Sequence, residues 1–111
     1  MKLSRTYLKT SHPYAYATFT DREFGKGLLQ IHSDWGIYHA SWDSTGREHL
    51  EEFVLGVDSG YLSGCLSFWS NFMRPKAGAH NLLTNFLAHC WPELKEIIKT
   101  EFAVYKRDGN I

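Results

Sequence analysis

The chain has few cysteines and prolines and no long hydrophobic run. Its 111 residues include three prolines and two cysteines, Cys65 and Cys90. Both cysteines fall in apolar segments and lack the paired C-x-x-C spacing of a zinc site, so we expect small buried side chains, with a disulfide or a reactive thiol as alternatives. The apolar runs are too short to span a bilayer, and Met1–Arg5 is not followed by a signal-peptide core. These absences predict a protein that remains in the cytoplasm.

The chain also has no excess of charge of either sign. Lys and Arg number 12 and Asp and Glu number 12, but residues 31–70 hold six acidic residues against Arg47 alone. A protein that binds nucleic acid by neutralising phosphates needs a basic face, and this distribution gives little support for one. With 43% apolar and 22% charged residues, the composition is that of one globular domain covering residues 1–111.

Three segments show the period-two alternation that is typical of strands. They cover residues 13–20, 28–33 and 37–43, and we take Asp34 and Trp35 as the turn of a hairpin between the last two. The predicted cross-strand pairs are Ser33–Gly36, Ile31–Tyr38 and Leu29–Ala40. One face of the hairpin then carries Leu29, Ile31, Tyr38, Ala40 and Trp42, and the other carries Gln30, His32, Ile37, His39 and Ser41. An apolar face opposite a mostly polar one indicates an antiparallel sheet packed on one side.

Apolar residues with helical spacing follow the sheet. The predicted helices cover residues 46–57, 59–69, 79–90 and 92–105. Thr45 and Glu48 have the spacing of a capping box at the start of the first helix. Pro92 either begins the fourth helix in its first turn or kinks one continuous helix. The sequence therefore predicts an α+β domain in which three to four helices cover one face of a three-stranded antiparallel sheet.

His32, His39 and Asp34 come nearest to a metal site. The two histidines are expected on one sheet face, with Asp34 at the adjacent turn. A metal site needs three or four converging donors and outer partners that orient them, and the exposed polar face of a sheet explains the same pattern. The sequence shows no nucleophile motif and no phosphate-binding loop. We expect no catalytic residue, no metal and no cofactor, and we keep a small metal-dependent hydrolase as the weakest hypothesis.

The chain is rich in aromatic residues, since four Trp, six Tyr and seven Phe make up 15% of it. Those that fit the inward stripes of the predicted elements are Trp42, Phe53, Phe68, Phe86 and Phe102. Trp35, Tyr14 and Tyr16 fit no inward stripe. Exposed Trp and Tyr are common interface anchors because they bury a large area with few rotatable bonds. We therefore predict that Trp35 projects from the hairpin to bind a partner; the alternative is that the turn folds back and Trp35 packs on the core.

A series of motifs runs from the strand after Pro13 to a "D-x-G-Y-L" segment. The residues that carry it are Gly25, Gly27, Ile31, Gly36, Tyr38, Trp42, Phe53, Asp58, Gly60, Tyr61 and Leu62. In these motifs the chain resembles the Ead-like proteins, small early-region accessory proteins of lambdoid bacteriophages and prophages, over about residues 12–67. It departs from them at Asp43, where the family usually has Gly. Most of the shared positions are turn glycines and core aromatics, so the resemblance bears on fold more than on chemistry.

The resemblance implies a phage or prophage origin, and with it a function by binding in the host bacterial cytoplasm. Our leading hypothesis is an interaction module that binds and inhibits a host macromolecular machine, most of all an immune effector of the CRISPR type. The predicted partner-binding residues are Trp35, Asp34, Tyr14, Tyr16, Glu48, Glu51 and Glu52. The three glutamates are most simply a solvated helix face, but this acidic segment could also occupy a basic, nucleic-acid-binding surface of the target.

The alternative is a nucleic-acid-binding regulator in which Tyr14 or Tyr16 stacks on bases. It requires the basic residues of the first 30 residues and of the C-terminal helix to converge on one face: Lys2, Arg5, Lys9, Arg22, Lys26, Lys95, Lys99, Lys106 and Arg107.

Either a monomer or a dimer is compatible with the sequence, because the outer strands of the sheet offer free edges, one of which Pro13 blunts.

Overall fold

The sheet has four antiparallel strands, and not the three that the sequence predicted. The computed structural model describes residues 3–73 and 79–109, with the side chains of residues 4–66 and 83–109. The strands are β1 (Leu3–Lys9), β2 (Ala15–Glu23), β3 (Lys26–Ser33) and β4 (Gly36–Trp42), and they lie in the order β1-β2-β3-β4. The strand that was not predicted is β1. Its pattern is inverted, because Arg5 and Lys9 are buried with Tyr7 whereas Leu8 is exposed, so it does not resemble an amphipathic strand.

The hairpin of β3 and β4 has the predicted register. Ser33 pairs with Gly36, Ile31 with Tyr38 and Leu29 with Ala40. The four apolar residues of these last two pairs are buried, and Trp42 is partly buried against the same core. Pro13 lies in the connection between β1 and β2, after a cis peptide bond, and does not blunt an edge of the sheet. The edges are β1 and β4.

Four helices follow the sheet, as predicted, and pack on one of its faces. They are α1 (Leu50–Val54), α2 (Ser59–Met73), α3 (Ala79–His89) and α4 (Trp91–Arg107). The predicted core residues Phe86 and Phe102 are buried and Phe53 is partly buried, while the side chain of Phe68 lies outside the described ones. Pro92 lies in the first turn of α4, so it begins a separate helix. Within the described residues, no helix is both long and apolar enough to cross a membrane.

The start of α1 is four residues later than predicted, and the capping box of Thr45 and Glu48 does not form. The N-cap is His49, whose backbone N–H donates to the Glu52 carboxylate at 3.2 Å. The backbone N–H of Leu50 is satisfied by the Asp21 carboxylate of β2 at 3.0 Å. A strand residue far away in sequence thus caps the helix, which a search for local capping patterns cannot detect.

The buried ammonium of Lys9 fixes the connection between β1 and β2 against α4. It donates to the carbonyl oxygens of Pro13 at 2.7 Å and Ser11 at 2.9 Å, and lies 2.8 Å from the Glu93 carboxylate. Hydrogen bonds from Lys9 and Ser11 hold the pKa of Glu93 below its ordinary value. This end of the sheet, next to the residues described below, is therefore held in place by a fully paired cation.

Candidate protein-binding face

The face of the sheet opposite the helices carries a row of large side chains at one end. Leu8, Tyr16, His32 and Ile37 are consecutive cross-strand partners on the four strands, and we call them the aromatic row. Leu8 is 58% exposed and Ile37 66% exposed. In the part of the chain that the structure describes, no helix covers these side chains. The row is thus a continuous strip that crosses the whole sheet, exposed at Leu8, Tyr16 and Ile37 and partly exposed at His32.

The centre of the aromatic row is a stacked pair. The rings of Tyr16 and His32 lie 4.8 Å apart between centroids, at 7° between planes. Because each ring restricts the rotation of the other, the strip presents a rigid flat surface between Leu8 and Ile37. Such a surface can bind a partner with little loss of side-chain entropy.

The remainder of the open face is polar apart from Leu28, which pairs with Thr20 and Ser41 and is partly buried. The hydroxyls of Thr6 and Thr18 lie 3.0 Å apart, as do those of Ser4 and Thr20. These pairs satisfy one another across β1 and β2 and add no large apolar group. Most of the large exposed side chains of the open face therefore lie at the end where the connection from β1 to β2 meets the turn from β3 to β4.

A shallow cavity of about 340 Å³ lies beside the aromatic row at this end. Its lining includes Tyr14 and Asp34 as well as Tyr16 and His32. The backbone N–H of Tyr14 donates to Asp34 Oδ2 at 3.0 Å, and the N–H of Asp34 donates to the Tyr14 carbonyl at 3.2 Å. His12 Nδ1 lies 3.4 Å from the same carboxylate oxygen. The structure thus brings together three of the predicted binding residues, Tyr14, Tyr16 and Asp34.

Trp35 does not join them, and the prediction that it projects as an anchor is wrong. Its side chain is partly buried against the hydrophobic core, with its ring centroid 6.2 Å from that of His89. The hydroxyl of Tyr38 donates to the Trp35 carbonyl at 2.7 Å, which holds the turn against the helical side. The alternative reading of the sequence, in which the turn folds back, is the correct one.

The three glutamates do not form the solvated face that the sequence suggested. Glu48 is exposed, Glu52 is partly buried 3.4 Å from Lys106 Nζ, and Glu51 is 0% exposed. Glu51 accepts two hydrogen bonds of 2.5 Å from the Arg5 guanidinium and one of 2.6 Å from the Tyr7 hydroxyl. It is therefore inaccessible to a partner.

Glu51 belongs to a buried charge cluster that also contains Arg5, Tyr7, Asp21 and His49. The Asp21 carboxylate accepts from Arg5 Nη2 at 2.7 Å and lies 2.8 Å from His49 Nδ1. Burial acts to lower the pKa of Arg5, but hydrogen bonds with Glu51 and Asp21 outweigh it and raise that pKa. Burial and the hydrogen bond with Glu51 raise the pKa of Tyr7. The cluster joins α1 to β1 and β2 and is closed to solvent, so its role is structural.

The structure does not assemble His32, His39 and Asp34 into a metal site. Across the described residues, no three His, Cys, Asp or Glu side chains are grouped so that they could hold a metal ion. His32 stacks on Tyr16, and Asp34 turns toward His12 and Tyr14.

Of the basic residues named for nucleic-acid binding, two are withdrawn from the surface, and Lys2 lies outside the described residues. Arg5 and Lys9 are buried and paired with carboxylates inside the fold. Of the exposed ones, Lys26 lies 3.4 Å from Glu23. Two of the cations that the nucleic-acid hypothesis requires therefore cannot reach a phosphate.

Leu8 and Ile37 were not predicted as site residues. Ile37 offered a signal, because it was the one aliphatic residue among those assigned to the polar face of the predicted hairpin. Leu8 offered none, since β1 itself was not predicted.

A comparison with protein-family models shows the family of the chain. The model of Phage_phiTE_072, described as a phage family, matches residues 2–109. No curated protein and no solved structure matches the chain. The match confirms the phage origin that the resemblance implied. It does not support membership of the Ead-like group. The chain belongs to the phiTE_072 family of phage proteins.

Proposed function

We propose that the protein is a phage-encoded interaction module that binds a host protein through the aromatic row and the adjoining cavity. The observation that carries this proposal is the alignment of Leu8, Tyr16, His32 and Ile37 across all four strands of an uncovered face. Single exposed apolar side chains are common on protein surfaces and need no explanation, whereas an aligned row forms a contiguous patch. Contiguous apolar patches next to tyrosines are typical of binding surfaces.

Burial on a partner would favour the complex in two ways. Binding would remove apolar surface of Leu8 and Ile37 from water. This removal contributes roughly 25 cal/mol per Å² to the free energy of binding before the costs of association. Tyr14 and Tyr16 would contribute large rings with polar ends, the combination that is enriched among residues that dominate binding energy. The remaining hydroxyl pairs of the face would form a polar rim.

Phage family membership supports a host protein as the partner, in the host cytoplasm. We place inhibition of a host macromolecular machine first, with immune effectors of the CRISPR type as the leading target class. Of the acidic residues named earlier, Asp34 and Glu48 are exposed and could face a basic surface of such a target.

The experiment is affinity capture from host lysates, from strains with and without defence systems, followed by mass spectrometry. Three forms of the protein serve as bait: the unchanged protein, the double variant Leu8→Thr with Ile37→Thr, and the control variant Phe24→Ser. Phe24 is 71% exposed at the hairpin between β2 and β3 and lies outside the aromatic row. Removing it tests whether any exposed apolar side chain suffices.

We expect one stoichiometric host protein with the original sequence and with the Phe24 variant, and none with the double variant. Thermal melts establish that all three proteins are folded. Failure to capture a stoichiometric partner from any host would refute the binding function, and capture by the double variant would place the interface elsewhere.

A second function, single-stranded nucleic-acid binding, is favoured by the exposure of Tyr16 on the four-stranded sheet and of Tyr14 just before β2, where bases could stack. The burial of Arg5 and Lys9 argues against it, because backbone charge dominates such affinities. A gel-shift series at low salt decides the matter, since a protein of this class must shift single strands there and release them as salt increases.

A further inference from the structure

The cavity beside the aromatic row combines flat rings with one carboxylate at its rim. Tyr14 is 55% exposed, and Tyr16 and His32 present a stacked pair of rings to the same space. The Asp34 side chain is 45% exposed. A carboxylate accepts about four hydrogen bonds, and the contacts to Tyr14 and His12 both fall on Oδ2. Asp34 therefore keeps capacity for a further donor from a ligand.

The charge at the rim is not cancelled by the nearest lysine. Lys9 also lines the cavity, but its ammonium points into the fold and is paired with Glu93 and two carbonyl oxygens. His12, at 3.4 Å from Asp34, is the neighbour that can share the carboxylate with a ligand. The rim therefore favours a cation, and the interior favours a long apolar or planar group.

We propose that this cavity receives an arginine side chain of the host partner, an inference that rests on the proposed function. Of the cationic side chains, arginine alone combines a planar group that stacks on aromatic rings with a fork of donors that matches a carboxylate. The guanidinium lies against the rings of Tyr14 and Tyr16 and donates to Asp34, while its apolar stem contacts Leu8. Lysine offers a compact, strongly hydrated charge and no plane, so it fits this combination less well.

The experiment uses the full chain and three capped tripeptides, Gly-Arg-Gly, Gly-Lys-Gly and Gly-citrulline-Gly, titrated to millimolar concentration. Backbone amide NMR shifts report binding. Citrulline has nearly the shape of arginine without its charge, so it separates stacking from ion pairing. The protein variants are Asp34→Asn, which keeps an acceptor for the Tyr14 N–H, Tyr16→Leu, and the matched control Asp43→Asn at an exposed site outside the cavity.

We expect saturable shifts at the amides of residues 14–16 and 32–34 with the arginine peptide. Binding of the lysine and citrulline peptides should be about fivefold weaker or more, as should binding of the arginine peptide to Asp34→Asn and to Tyr16→Leu. Asp43→Asn should bind as the original protein does. Equal affinity for arginine and citrulline, or the absence of shifts in these segments, would overturn the proposal.

The two proposals fail in different ways. Capture of a host protein together with no response to the arginine peptide refutes the arginine inference and leaves the binding function standing. A specific response to the arginine peptide together with no captured protein refutes the binding function of the previous section.

Discussion

The guanidinium of Arg5 binds the carboxylate of Glu51 through two hydrogen bonds of 2.5 Å, in the interior between β1 and α1. Removing the charge of Glu51 breaks this buried pair and leaves the compensation of the Arg5 charge to Asp21. Glu51→Gln should therefore lower the free energy of unfolding by about 3–5 kcal/mol. Urea denaturation measures the loss, and Glu48→Gln, at an exposed position, serves as the control. If both variants lose equally little, the pair does not hold α1 in place.

Asp21, in the same cluster, should make stability depend on acid pH. Burial acts to raise its pKa, but hydrogen bonds from His49, Arg5 and the Leu50 backbone outweigh it and hold the pKa below its ordinary value. A carboxyl with a lower pKa in the folded state stabilises the fold above its unfolded pKa of about 3.9, and this contribution disappears as the pH falls through the folded pKa.

We therefore expect the free energy of unfolding to fall as the pH drops below about 5, and Asp21→Asn to be less stable at pH 7 with a shallower decline. Urea unfolding at a series of pH values measures both slopes. Asp43→Asn, at an exposed position, should follow the original protein. Parallel curves for Asp21→Asn and the original protein would show that other carboxyls cause the acid sensitivity.

The register of the hairpin from β3 to β4 could be predicted from sequence, because alternation and turn residues specify register locally. The bounds of the two strands differ from the predicted ones by one or two residues. The first strand could not be predicted. In β1 the inner positions are Arg5, Tyr7 and Lys9, and the burial of the two cations is compensated by carboxylates from β2, α1 and α4. Such compensation comes from distant parts of the chain, so no local pattern contains it.

Part of the binding face could also be predicted, because some of its residues stand out in the local sequence pattern. Tyr14 and Tyr16 could be named because they fit no inward stripe, and Asp34 was placed at the turn of the predicted hairpin. Trp35 met the same criterion and was wrongly named, since its burial depends on α3 packing against the turn. Whether an aromatic residue at a turn is covered is decided by tertiary contacts, and the sequence alone gives only its position in the hairpin.

The position of Trp35 predicts a stability effect where an exposed anchor would show none. Its ring packs on the same core as that of Trp42. Trp35→Ala and Trp42→Ala should each lower the free energy of unfolding by about 2–4 kcal/mol. Phe24→Ala, at an exposed ring, should change it by less than about 0.5 kcal/mol. Chemical denaturation compares the three, and a Trp35 variant as mild as the Phe24 variant would contradict the folded-back turn.

The two thiols should differ in reactivity. They are not joined in a disulfide; Cys90 is buried and Cys65 only partly so. Burial raises the pKa of the Cys90 thiol, which lowers the fraction of reactive thiolate. Iodoacetamide at pH 8 should modify Cys65 first and Cys90 only after unfolding in urea, as peptide mass spectrometry would show. Cys65→Ser should leave the folded protein nearly unreactive; equal labelling of both cysteines in the native state would show that Cys90 is accessible.

The aromatic row should provide exposed apolar surface and contribute little to the free energy of unfolding. Leu8 and Ile37 lie on the edge strands β1 and β4 with most of their side chains in solvent. Threonine retains high strand propensity there, so the double variant Leu8→Thr with Ile37→Thr should unfold within about 0.5 kcal/mol of the original protein.

The same double variant should bind less of a hydrophobic fluorescent dye, because the contiguous patch has been removed. Leu29→Ala is the contrasting change, since Leu29 is fully buried on the opposite face of the sheet and its truncation should cost about 2–5 kcal/mol. Urea unfolding and dye fluorescence on both variants separate patch from core. A double variant that loses as much stability as Leu29→Ala would mean that the row supports the fold, and the binding face would have to be sought elsewhere.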